Sequence, residues 1–186
     1  MDQLHHSDST TFMIFVKGLC TGNPGPGSYA ATLQSADGSS STVSGSDPAT
    51  TNNRMELTAA IEAIECIPDG AQATVMSDSQ YLIDGMNSWL AKWKKTGWRG
   101  SKGKPVENAD LWKRCDRAAS SRTILWALGG QLLDWIERKV VTKLAEEARQ
   151  KPRTSQRLTV VPNDKMTRRS VSEEGDIDLG LPAKAA

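Results

Sequence analysis

Residues 89–114 (WLAKWKKTGWRGSKGKPVENADLWKR) interleave eight lysines and arginines with four of the chain's six tryptophans, against two acids. Charge of one sign grips a phosphate backbone, and flat aromatic faces meet bases and sugars, so this composition suits a nucleic-acid partner. Trp89 and Trp93 fall on one helix face, with Lys92, Lys94 and Lys95 between and after them and Trp98-Arg99 close behind. The same composition also describes a solvated charged face with tryptophans packed inward. A second stretch, GNPGPG (22–27), is dense in turn residues whose glycines leave room for another backbone to approach closely.

The elements that must position these residues follow from periodicity. TFMIFVK from Thr11 reads as a strand ending at Gly18, and SYAATLQ resumes extended structure after GNPGPG. Asp37-Gly38 is a hairpin signal, with TVSGS as a short third strand. Asn52 and Asn53 suit the cap of a helix beginning near Arg54, and Leu57, Ala60, Ile61 and Ile64 form its buried stripe. Pro68-Asp69-Gly70 stops that helix, AQATVMSD (71–78) is a strand, and SQYLIDGMNSWLAKWKK begins a second helical region. LWKRCDRAAS (111–120) is a short helix, TILWAL (123–128) a fifth strand, and roughly 133–150 a last helix. Three strands followed by helix–strand–helix–strand–helix make a mixed sheet covered by helices.

Residues 1–10, which include His5 and His6, are polar and expected to be disordered; 11–150 form one domain. The stretch 151–186 turns polar, basic first and acidic later, and is expected to be a disordered charged tail. A hydrophobic content of 38% and a net charge of +1 are those of an ordinary globular chain, so any basic patch must be local. Cys20, Cys66 and Cys115 contain no CxxC pair, which argues against a zinc site or a disulfide framework and for a reducing compartment. With no apolar run of the roughly 18 residues a membrane span needs, and no signal pattern, a cytoplasmic location is expected.

Four segments then resemble, in order and spacing, the bacterial ribonuclease HI family, whose members cut the RNA strand of RNA–DNA hybrids. They are GNPGPG with Tyr29, TTNNRMEL (50–57), SDSQY (77–81) and WLAKWKKTGWRGSKGKPVENADLW (89–112). The resemblance implies a ribonuclease H-like α/β fold, with a five-stranded mixed sheet flanked by helices. It also implies a chemistry in which four carboxylates hold two Mg²⁺ ions that activate a water and stabilise the leaving oxygen. Two of those carboxylates carry over, as Glu56 and Asp78. Lys17 stands in place of the first, and the fourth falls on Thr142, or on Val140 if Glu137-Arg138 sets the alignment. The loop GGQLLDWIERK (129–139) has no histidine where the family carries one, and Asp134, Glu137, Glu146 and Glu147 are the acids that could replace the fourth ligand.

These exchanges leave a local charge of −1 where four carboxylates would give −4. A divalent ion ~4 Å from an ammonium is repelled by roughly 8 kcal/mol at an effective dielectric of about 20. Lys17 is therefore expected to sit between Glu56 and Asp78 as a built-in counter-ion. Hydrolysis is expected to be lost, with no cofactor; Mg²⁺ or Mn²⁺ would matter only to residual activity. The grip is kept: the resemblance puts Cys20, Asn23, Thr51, Asn52, Asn53 and Gln80 at hybrid-contacting positions. Trp89, Lys92, Lys94, Lys95, Trp98 and Arg99 fall on a basic protrusion. Small polar groups suit the wide, shallow minor groove of a near-A-form hybrid. Trp126 and Trp135 are expected in the core. The leading expectation is a monomeric, ribonuclease H-like protein that binds RNA–DNA hybrid without cutting it. Two others stand beside it: a hybrid endoribonuclease of weak or altered metal-dependent activity, and a protein-interaction scaffold using the fold and the tail.

Overall fold

The chain is described from a computed structural model, which covers residues 11–129, 142–143, 145–147 and 149–150, and the backbone of 156–161. Strands β1 (Thr11–Cys20), β2 (Gly25–Ser35) and β3 (Ser40–Thr50) form an antiparallel meander. Helix α1 (Asn52–Cys66) crosses over to β4 (Gln72–Ser77), which pairs parallel with β1. A helical region follows: α2 (Gln80–Asp84), a π-helical turn (Gly85–Trp89) and α3 (Leu90–Lys95). Helix α4 (Ala109–Ala119) then leads to β5 (Thr123–Leu128), parallel to β4. The five expected strands lie in the order β5-β4-β1-β2-β3, and a sixth, β6 (Gln156–Val161), pairs antiparallel along the outer edge of β3.

The core lies between the sheet and α1. Ile14 and Val16 of β1 and Tyr29, Ala31 and Leu33 of β2 face the helix, as period-two alternation requires. The stripe Leu57, Ala60, Ile61 and Ile64 is wholly buried against them. At Gly18 the two elements touch backbone to backbone: a Cβ there would lie 2.3 Å from the Glu56 amide nitrogen. That approach brings β1 and α1 close enough for Lys17 and Glu56 to meet.

Local details differ from the sequence reading: β3, expected as the short TVSGS (42–46), runs from Ser40 to Thr50. The cap of α1 is Thr51, whose extended backbone (φ −128°, ψ 161°) lets its hydroxyl accept from the Arg54 amide at 3.3 Å; Asn52 and Asn53 are already helical. The second helical region is interrupted by the π-helical turn. Gly85 lies in that turn under the Trp112 ring, and a Cβ there would be 2.0 Å from the ring. The tail is not wholly without structure, because Gln156–Val161 is a strand; β3 offers an unfilled row of backbone donors and acceptors that a further strand satisfies. The described residues between 142 and 150 are helical, as expected, and Ala145 is buried against Ala30 and Leu19. His5, His6, Asp134, Trp135, Glu137 and Val140 lie outside the described residues. Among the described residues no helix is long and apolar enough to cross a membrane.

Candidate functional site

Lys17, Glu56 and Asp78 come together from β1, α1 and the end of β4. The Lys17 ammonium donates to both oxygens of Asp78, at 2.8 and 2.6 Å, and stands 3.7 Å from Glu56 Oε1. Glu56 is 1% exposed, Asp78 36% and the Lys17 side chain 20%, so the pair closest in space lies at the outer rim. Ser77, whose hydroxyl donates to Glu56 Oε2 at 3.2 Å, completes the inner wall. Ser77 also accepts from the Ser79 amide, which links this wall to the start of α2.

Burial dominates the electrostatics of Glu56 and pushes its carboxyl up to about 7. The neighbouring Lys17 ammonium, the Gly18 amide and the Ser77 hydroxyl favour the ionised form, while Asp78 opposes it; together they do not offset desolvation. Mg²⁺ requires an octahedral shell of oxygens at about 2.0–2.1 Å. Here the place between the two carboxylates is already taken by an ammonium. Among the described residues no cluster of three or more His, Cys, Asp or Glu is placed to hold a metal. Thr142, which the resemblance assigned to the fourth ligand, is helical and half-buried and carries a hydroxyl rather than a carboxylate; Glu146 is exposed and Glu147 half-buried. Among the described residues the donor set does not fit a divalent ion.

The polar residues gather at the neighbouring end of the sheet. Asn23 Oδ1 accepts from the Asn52 amide at 3.3 Å, which docks the GNPGPG loop on the first turn of α1. Cys20 Sγ lies 3.5 Å from the Gly25 carbonyl and 3.4 Å from that of Thr50, tying the ends of β1, β2 and β3. Thr51 and Asn53 are half-buried beside the exposed Asn52. Gln80, two residues beyond Asp78, is exposed, and its amide donates to Asp84 at 2.6 Å. Arg54 fixes the whole group to α4. Its guanidinium bonds both oxygens of Asp110, at 3.1 and 2.8 Å, and holds that carboxyl below its ordinary range.

The protrusion is more structural than its composition suggested. Trp112 is wholly buried, and its indole N–H donates to the Tyr81 hydroxyl at 3.0 Å. Trp93 packs between Trp112 and Trp89, with ring centroids 5.2 and 5.6 Å apart, which leaves Trp89 36% exposed at the end of the row. Trp98 is half-buried at a left-handed backbone position (φ 63°), with Lys113 5.4 Å above its ring. Of the basic residues, Lys94 is paired with Asp116 at 2.9 Å and Arg114 is held by Glu62 and Glu65. Arg99 donates to the Gly103 carbonyl at 2.9 Å. Lys92, Lys95, Lys102 and Lys104 are exposed. Trp126 lies in the core, as expected.

Sequence reasoning singled out neither Ser77, Tyr81 nor Arg54. Each lies within or beside a quoted motif, but its role depends on a partner 21 to 56 positions away, which no local spacing reveals.

Comparison with known proteins places these observations in a family. The RNase H family model matches residues 9–128. Proteins named ribonuclease H from Nitrobacter hamburgensis and Citrobacter koseri are 46% and 48% identical to the chain over 113 residues, 61% of this chain and 74% and 72% of theirs. The crystal structure of LC9-RNase H1, described as a type 1 RNase H with the type 2 active-site motif, matches with a TM-score of 0.71 at 25% identity. The match covers 87% of this chain and 82% of that one. LC11-RNase H1 in complex with RNA/DNA hybrid matches in fold, with a TM-score of 0.55 at 17% identity over 75% of this chain and 96% of its own.

Proposed function

The chain belongs to the ribonuclease H family, type 1, and from that premise we propose that it binds RNA–DNA hybrid without performing the family's metal-dependent cleavage. One observation carries this reading: the Lys17 ammonium lies 2.6 Å from Asp78 and 3.7 Å from Glu56, on the ground a divalent ion would need. The binding half rests on the sheet end formed by Cys20, Asn23, Thr51, Asn52 and Asn53, on Gln80, and on the exposed Trp89, Lys92 and Lys95. Lys94, Trp98 and Arg99 contribute by shaping the protrusion. LC11-RNase H1, a protein of the same fold, has been solved with a hybrid bound. The proposal includes a monomer acting in the cytoplasm, with no resident metal.

The test is a hybrid carrying labelled RNA, incubated in Mg²⁺, in Mn²⁺ and in EDTA. Retention of the hybrid with intact RNA is expected in all three. RNA cleavage that disappears in Glu56→Ala would establish the second reading instead, a ribonuclease of weak or altered activity. That reading is favoured by the relatives, which carry the name ribonuclease H at 43–48% identity. Mn²⁺, which tolerates poorer geometry than Mg²⁺, is the condition in which such activity would emerge.

A further inference from the structure

Lys17 does more in this geometry than neutralise two acids. A cation placed only to offset the buried Glu56 would gain most by sitting against it. Instead Nζ bonds the exposed Asp78 at 2.6 and 2.8 Å and stays 3.7 Å from Glu56, outside hydrogen-bonding distance. An ammonium has three N–H donors, and Asp78 occupies at most two. The Lys17 side chain is 20% exposed, and Asp78 leaves at least one of its donors unused.

Its position in the fold matters equally. On β1, Lys17 lies three residues before Cys20, at the end of the strand that meets the Asn23–Asn52 contact. Through Asp78 it borders Gln80 at the start of α2. The ammonium therefore stands between the two groups of polar residues, where a nucleic-acid backbone reaching from one to the other must pass the exposed Asp78, with Glu56 buried behind it. Without a positive charge there, a phosphate would meet only repulsion. A compact, strongly hydrated ammonium binds phosphate as a point charge, without needing the planar fork of arginine.

We propose that the Lys17 ammonium is a phosphate-binding group, the protein's own replacement for a divalent ion, so that hybrid binding here needs no metal. The inference rests on the hybrid-binding reading above and adds which atom meets the backbone and why metal is dispensable.

The experiment measures the dissociation constant for a short fluorescent RNA–DNA hybrid over a potassium chloride series, in EDTA and in Mg²⁺ at matched ionic strength. It compares the wild-type protein with Lys17→Gln, Lys17→Arg and Lys17→Asp, each shown to be folded by its thermal melt. Wild type is expected to bind equally in both conditions. Lys17→Gln is expected to bind roughly tenfold more weakly, with the slope of log K against log salt shallower by about 0.9, the loss of one phosphate contact. Lys17→Arg should keep the slope, which separates charge from shape. Lys17→Asp should bind worse than the glutamine variant in EDTA, because it sets a further negative charge beside Asp78. Unchanged affinity and slope in Lys17→Gln, with wild type still binding, would overturn this inference alone. So would wild-type binding that tightens on adding Mg²⁺. Absence of binding by wild type in every condition would overturn the hybrid-binding reading, and this inference with it.

Discussion

Glu56 is buried, acidic and next to a cation, and burial outweighs the cation. Its carboxyl is raised from 4.5 to about 7, so the sign of its effect on stability follows directly. Below pH 4.5 it is protonated in both the folded and unfolded chain, and its contribution is fully present. As pH rises toward about 7 the unfolded chain ionises while the folded chain resists, and stability falls. Once ionisation is complete in both states, the loss is on the order of 3 kcal/mol. Glu56→Gln cannot ionise, yet its side-chain carbonyl can still accept from Ser77. Urea denaturation across this range should therefore show a flat profile for the variant and a falling one for wild type. Parallel profiles would mean that the Lys17 ammonium, not burial, governs Glu56.

At the scale of elements, the site is held by two joints. Arg54 ties the first turn of α1 to the start of α4, and Tyr81 accepts from both Trp112 and Asn108, tying α2 to α4. The π-helical turn belongs to the second joint. With a glycine at 85, the helix backbone can lie against the Trp112 ring; a methyl group there would overlap it. Gly85→Ala is expected to cost about 2 kcal/mol, as overpacking of a filled core does. Combining it with Trp112→Phe, which vacates part of the space, should cost less than the two single changes together. Chemical denaturation of the four proteins checks this, and simple additivity would show that the ring and the turn are not coupled. Since Trp89 leaves the same turn, the double substitution should also alter its fluorescence.

Across the whole molecule, the family match ends at residue 128, yet the chain beyond it returns to the domain. Ala145 is buried against Ala30, Arg149 donates to the Thr21 hydroxyl at 2.7 Å beside the GNPGPG loop, and β6 lies along β3. Removing residues 151–186 deletes β6 and bares the β3 edge. Hydrogen exchange at the amides of Ser40–Ser44 that face β6 should then quicken about tenfold or more, while α1 amides keep their protection. Unchanged exchange along β3 would show that β6 adds nothing to the sheet in solution. Hybrid affinity should survive the deletion, because the proposed contacts lie between residues 17 and 99.

The sequence determined the three successive strands of the meander, the buried stripe of α1, the limits of β5 and the resemblance that unites them, because periodicity and turn chemistry are local properties. It also fixed the exchange at position 17, since residue identity needs no coordinates. Tertiary structure alone decided where that charge went. Only with β1, α1 and β4 assembled does Lys17 meet Asp78 at 2.6 Å, and only inside the packed core does Glu56 lose enough solvent to resist ionisation. The same holds for the protrusion: composition counted eight cations, but Asp116, Glu62 and Glu65, brought close by folding, claim two of them. Desolvation and ion pairing depend on neighbours distant in sequence, which packing supplies and spacing along the chain does not.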